Sequence, residues 1–249
     1  MTVMPTTPTS TATARLAVAI DVPDLAGARR LVAALDGNVD VIKVGLELFS
    51  AAGPAAVTTF VEAGFEVFCD AKLHDIPNTV AGAARVLARL GARYVTVHTG
   101  GGAAVLRAAV DGLAEGAASA GVAMPVALGV TVLTSDPDAT PALLTARAAL
   151  AASAGCGGIV CAGTDLATLR DIAPGLLRVV PGIRPTGSAA GDQARVMTPA
   201  AAVAAGAGLL VVGRPITGAA DPAAAAAAIR AEITHTSRPD ARGEGGPPR

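Results

Sequence analysis

Short apolar runs that end in polar or glycine-rich turns recur along the chain: LAVAID (16–21), VDVIKVG (39–45), FEVFCD (65–70), YVTVH (94–98), VALGVT (126–131), GIVCAG (158–163), LLRVVPG (176–182) and GLLVVG (208–213). Between them lie segments such as LAGARRLVAAL, TVAGAARVLARL and TPAAAVAAGA, with Ala and Leu at helical spacing and Gly before the next run. Nearly continuous apolar strands alternating with helices predict a parallel sheet covered on both faces. Eight such units in about 215 residues predict an α/β fold, a single (β/α)8 TIM barrel, for which roughly 250 residues is typical. The competitor is an open doubly wound sheet, which a GxGxxG turn would favour; the cluster TGGG at 99–102 matches that turn poorly.

The ends of the chain break the pattern. MTVMPTTPTSTATAR is rich in Thr and Pro and lacks the apolar stretch of a signal peptide, and SRPDARGEGGPPR is similarly polar. The expected division is a disordered tail over 1–14, one barrel over 15–235 and a disordered tail over 236–249. The uncharged run from Gly116 to Ser135 is long enough to invite a membrane reading, but Gly121 and Pro125 interrupt it, and a helix end, a loop and a buried strand are expected instead.

Hydrophobic residues make up 52% of the chain and aromatics 2%, with no Trp, so the core must be built from Ala, Val, Leu and Ile, leaving little for base-stacking platforms. A net charge of -1 without a Lys/Arg run argues against nucleic acid as a partner. Cys69, Cys156 and Cys161 form no CxxC pair and are odd in number, which points to a reducing compartment and hence the cytoplasm.

In a barrel the active site lies at the C-terminal ends of the strands. Asp21 ends the first apolar run, Lys43 lies near the end of the second, and Asp70 ends the third, with Lys72 and Asp75 following. Strand alternation puts Asp70 and Lys72 on one side, and His74 is expected at the surface. Opposite charges about 4 Å apart gain on the order of 4 kcal/mol at an effective dielectric of about 20, which keeps lysines protonated and aspartates ionised together. A lysine held between carboxylates is a poor nucleophile and a good proton donor; the alternative is a salt-bridge network without chemistry. Cys69 is expected on the outer strand face, and His98 either touches ligand or packs under TGGG.

After the seventh run, PGIRPTGSAAGDQARVMTPAAA (181–202) is longer than a connecting turn requires and reads as a lid. After the eighth comes VVGRPIT (211–217), where Gly213 permits close backbone approach and Arg214 brings a fork of donors at a helix start, the usual phosphate position of this fold.

AID (19–21), IKVG (42–45), DAKLHDIPNTV (70–80), VTVLTS (130–135), PGIRP (181–185), GDQARVMTP (191–199) and VVGRPIT (211–217) together resemble the orotidine 5'-phosphate decarboxylase family from about Leu16 to Ile229. The resemblance implies decarboxylation of orotidine 5'-phosphate to uridine 5'-phosphate, the last step of de novo pyrimidine synthesis, by a homodimer with shared sites and without cofactor or metal. It implies Lys72 as proton donor, with Lys43, Asp70 and Asp75 completing the array. Asp21 and Lys43 would hold the ribose, joined by Asp75 and Thr79 of the other subunit. Thr134 and Ser135 would meet the pyrimidine, Gln193 would bridge base and phosphate, and Arg184, Gly213 and Arg214 would hold the phosphate. Asp136 and Pro137 depart from the family pattern after Ser135. Magnesium-dependent barrels acting on keto-sugar phosphates, such as hexulose-phosphate synthase, share DxKxxD but carry a Glu on the second strand where this chain has VIKVG. A silent phosphate-binding barrel is the alternative outside enzymes.

Overall fold

The computed structural model describes residues 14–35, 37–134, 136, 139–186 and 196–237. Its first half runs β1 (Arg15–Ile20), α1 (Leu25–Ala34), β2 (Val41–Val44), α2 (Leu46–Ala52), α3 (Ala55–Glu62), β3 (Glu66–Leu73), α4 (Pro77–Arg89), β4 (Tyr94–His98) and α5 (Gly102–Ala120). The second half runs β5 (Val126–Val130), α6 (Pro141–Ser153), β6 (Gly158–Val160), α7 (Leu166–Leu169), β7 (Leu177–Val180), α8 (Pro199–Ala204), β8 (Leu209–Val212), α9 (Arg214–Thr217) and α10 (Pro222–Ser237). The strands pair in parallel in chain order and β8 pairs with β1, so the sheet closes into the predicted barrel rather than an open sheet.

Alternation along each strand separates two cores. Ala17, Ala19, Val41, Phe68, Tyr94, Leu128, Val179, Leu209 and Val211 fill the barrel interior. Their neighbours, among them Leu16, Val18, Ile42, Val67 and Cys69, face outward into the layer shared with the helices. Cys69 therefore lies on the outer face, where burial pushes its thiol up to about 12. With aromatics so scarce, Phe68 and Tyr94 supply the interior's bulk, packed edge to face with ring centres 6.1 Å apart. At the N-terminal end of the barrel Arg15 donates to Glu66 at 2.9 Å and to the Tyr94 hydroxyl at 3.0 Å.

Side-chain caps start several helices: Asp24 accepts from Gly27 N ahead of α1, Thr140 from Leu143 N ahead of α6, and Thr198 from Ala201 N ahead of α8. Helices α4 and α5 meet backbone to backbone, because a Cβ at Gly112 or Gly116 would collide with the carbonyl of Ala81 or Arg85. That contact fixes α4, whose first turn carries Thr79. The uncharged run from Gly116 finishes α5, turns at Gly121 and enters β5; among the described residues no helix is long and apolar enough to cross a membrane. Of the expected tails over 1–14 and 236–249, residues 1–13 and 238–249 lie outside the described residues, while Ala14 is buried against the core and α10 continues through Ser237.

Candidate active site

The strands that hold the charged residues run apolar from Leu16, Val41 and Val67 up to the point where the site charges appear, so each charge is carried in on a rigid element. Pairing aligns Ala19 with Lys43 and Lys43 with Phe68, all on the interior face. Above this level the interior opens into a cavity of about 410 Å³, walled by Asp21, Lys43, Asp70, Lys72, Thr134, Arg184, Gly213 and Arg214 together with apolar residues of β5 to β8. Eight of the sequence-predicted site residues thus converge on one space, of the size expected for a small-molecule site.

Lys43 is 8% exposed; its Nζ lies 3.4 Å from Asp21 Oδ1 and 3.5 Å from Asp70 Oδ2. Lys72 Nζ donates to the same Asp70 Oδ2 at 2.8 Å, and the Thr96 hydroxyl donates to Asp70 Oδ1 at 3.0 Å. Burial pushes the Asp70 carboxyl up, but Lys43, Lys72 and Thr96 outweigh it and hold the group below the usual carboxylate range. Asp70 is therefore an anion clamped between two cations.

Lys72 does not reach this place by regular alternation. Cys69 pairs with Val95 and Leu73 with Val97, so β3 bulges over Asp70 to Lys72, and Lys72 adopts φ +47, the one positive φ among the described non-glycine residues. A left-handed residue with a side chain costs roughly 1–2 kcal/mol, so the surroundings must hold it there. The bulge also changes the fate of His74. It is exposed, as expected for the surface, but its ring stacks on His98 with centres 5.1 Å apart. His98 is half-buried, and burial followed by His74, Lys72 and Arg147 lowers its basicity against the opposing pull of Asp70; among the described residues that wall the cavity, His98 is not one.

Across the barrel, β7 and β8 bring the arginines. Arg184 is nearly buried and donates to the carbonyl of Ile183; burial, then repulsion from Arg214, makes its guanidinium a weaker base than usual. Two guanidiniums close enough to repel make a place where an anion is welcome. The base of the expected lid is tied: Ile183 bridges Met197, and Arg184 N donates to Met197 O at 2.9 Å. Gln193 and Ser135, expected to contact the base, lie outside the described residues.

Asp75 and Thr79 are not among the described residues walling their own chain's cavity. Both are exposed, Asp75 accepting from Ile76 N at 2.6 Å and lining a shallow cleft with His74, Ile76 and Pro77. Thr96 escaped the sequence reading; the signal was available, since it is a hydroxyl at an interior position of an otherwise apolar strand.

A closed barrel with a clamped Lys–Asp–Lys cluster facing two arginines at its C-terminal mouth defines a (β/α)8 barrel enzyme. A model of the Orotidine 5'-phosphate decarboxylase / HUMPS family matches residues 14–229, and the chain belongs to that family. An orotidine 5'-phosphate decarboxylase of Moorella thermoacetica is 50% identical over 231 residues, spanning 88% of this chain and 92% of the relative. One from Anaeromyxobacter sp. is 50% identical over 222 residues, spanning 88% and 98%. The crystal structure of orotidine 5'-phosphate decarboxylase from Lactobacillus acidophilus is similar at a TM-score of 0.78 and 34% identity, covering 88% of this chain and 99% of that one.

Proposed function

We propose that this chain decarboxylates orotidine 5'-phosphate to uridine 5'-phosphate and carbon dioxide, completing de novo pyrimidine synthesis, with Lys72 as the proton donor. The observation that carries the mechanism is the Asp70 carboxylate held at 2.8 Å by Lys72 and 3.5 Å by Lys43, inside a cavity whose far wall presents Arg184 and Arg214.

Losing carbon dioxide from carbon 6 leaves an electron pair in the ring plane that the ring cannot delocalise, and many decarboxylases use a cofactor as the sink. Lys72 instead sets a positive charge where the negative charge develops and delivers a proton to it, favouring the transition state over the ground state. Asp70 aims Lys72, and Lys43 keeps Asp70 ionised. Asp21 and Lys43 hold the ribose, while Thr134 and Ser135 meet the pyrimidine. Arg184, Arg214 and the Gly213 backbone take the phosphate, and Gln193 spans base and phosphate from the loop after β7. Binding energy at the phosphate supports chemistry at the ring because both ends share one rigid cavity.

The active form is a homodimer in which Asp75 and Thr79 complete the partner's site. Their exposure, and that of Ile76 beside them at 66%, supports a mouth edge made to be covered. Three free, buried cysteines fit a cytoplasmic setting. A magnesium-dependent reaction on a keto-sugar phosphate is disfavoured because Lys43 places a cation between Asp21 and Asp70.

The test follows the absorbance of orotidine 5'-phosphate with purified protein and excess chelator. Turnover unaffected by chelator is expected. Turnover abolished by chelator would move the chain to the metal-dependent branch, and none at all under either condition would leave a silent barrel.

A further inference from the structure

Thr96 lies at the middle of β4, inside the barrel and fully buried. Opposite it the β3–β4 pairing skips, so that Asp70, Ala71 and Lys72 together face Thr96 alone. Extra residues in one strand remove ladder partners from the backbone, and a buried N–H without a partner is costly. Here a side chain fills the place. Thr96 Oγ1 accepts the Lys72 N–H at 2.8 Å and passes its own proton toward Asp70 Oδ1 at 3.0 Å.

We propose that Thr96 is a positioning residue for the decarboxylation: its one hydroxyl pins both the left-handed backbone of Lys72 and the carboxylate that aims the Lys72 ammonium. The proposal rests on the roles assigned above to Lys72 and Asp70. It requires a group that accepts and donates at once, in a space the size of threonine. Serine can do both, whereas valine has the same shape and does neither.

Orotidine 5'-phosphate turnover and uridine 5'-phosphate affinity are measured for Thr96→Val, Thr96→Ser and Lys72→Ala. A misaimed reacting group costs on the order of a hundredfold, so Thr96→Val should lose about tenfold to a hundredfold in kcat while KM and product affinity stay within about threefold. Thr96→Ser should recover kcat to within about threefold of wild type. A merely structural threonine would move kcat, KM and affinity together, and serine would not rescue it. If Thr96→Val fails to fold, Thr96→Ala removes the same two hydrogen bonds without setting a methyl against the carboxylate, and carries the comparison. Full turnover by the valine or alanine variant beside an inactive Lys72→Ala overturns the role of Thr96 and leaves that of Lys72 intact. Full turnover by Lys72→Ala overturns the assignment beneath it.

Discussion

Replacing Asp70 by Asn tests the ionic clamp with almost no change of shape. Asp70 Oδ2 lies 2.8 Å from Lys72 Nζ and 3.5 Å from Lys43 Nζ; at an effective dielectric of about 20 these attractions are of order 6 and 5 kcal/mol. Neither is a net stability, because burying the charges costs free energy as well. Breaking a buried pair typically costs about 3–5 kcal/mol, since the remaining partner is left uncompensated. The low end applies here: the Lys72 side chain is 33% exposed and screened by water, and Lys43 keeps Asp21 at 3.4 Å. Asp70→Asn should therefore destabilise the barrel by about 3 kcal/mol, or roughly 6–12 °C in Tm for a chain of this size.

The pH dependence gives the same experiment a second readout. The folded Asp70 titrates below its ordinary value of 3.8, so as pH falls the unfolded chain takes up that proton first. Stability then rises with pH across the window: the contribution is whole above the ordinary value and is lost as pH drops through the lowered folded value. Urea midpoints of wild type and Asp70→Asn should differ fully near neutrality and converge in acid. Turnover should fall by about a hundredfold at neutral pH, because the two lysines then repel and Lys72 loses its aim. A variant as stable as wild type at neutrality, or a gap that widens in acid, would refute the clamp.

Lys72→Ala and Asp75→Asn should each be nearly inactive, yet on subunit exchange at equal amounts recover about a quarter of wild-type sites, since half the dimers are mixed and one site in each is intact; demonstrated heterodimers without activity would place Asp75 in its own chain's site. Arg214→Ala should lower kcat/KM for orotidine 5'-phosphate and leave the phosphate-free nucleoside nearly unaffected, and equal losses would mean a general defect. Gly112→Ala should lower the unfolding free energy measured in urea by about 1–3 kcal/mol because its Cβ meets the Ala81 carbonyl of α4; an unchanged value would mean that the two helices can separate freely.

The barrel was legible because its strands are buried on both faces: VALGV and LLVV need no polar positions, and the helices between them show their own period. Asp21, Lys43 and Asp70 were legible for the same reason, as charges interrupting apolar runs at their C-terminal ends. Two things were not. The extent of β3 through Leu73 depends on a bulge, and the left-handed Lys72 at its end carries no sequence mark, because glycine or asparagine is the usual signal of positive φ. The second was the pairing of His74 with His98, which needs the bulge to turn His74 back toward β4.

Charge at a strand end does not by itself mark a site, and the two ends of this barrel show why. Arg15, Glu66 and Tyr94 at the N-terminal end resemble the mouth cluster in composition, with an ion pair at 2.9 Å and a hydroxyl in reach. Yet Arg15, Glu66 and the Arg93 that lies 4.0 Å from the same Glu66 Oε2 are each more than a third exposed, so water can replace any of these partners at little cost. At the mouth one carboxylate serves two lysines, and it is 14% exposed. Lys43 takes Asp21 as a second partner, and Arg184 and Arg214 across the cavity add the positive charge toward which a further anion is drawn. What sets the mouth apart from the barrel's other end is that its charges are sheltered from water on rigid strands, where positive charge favours a substrate whose reaction develops a negative one.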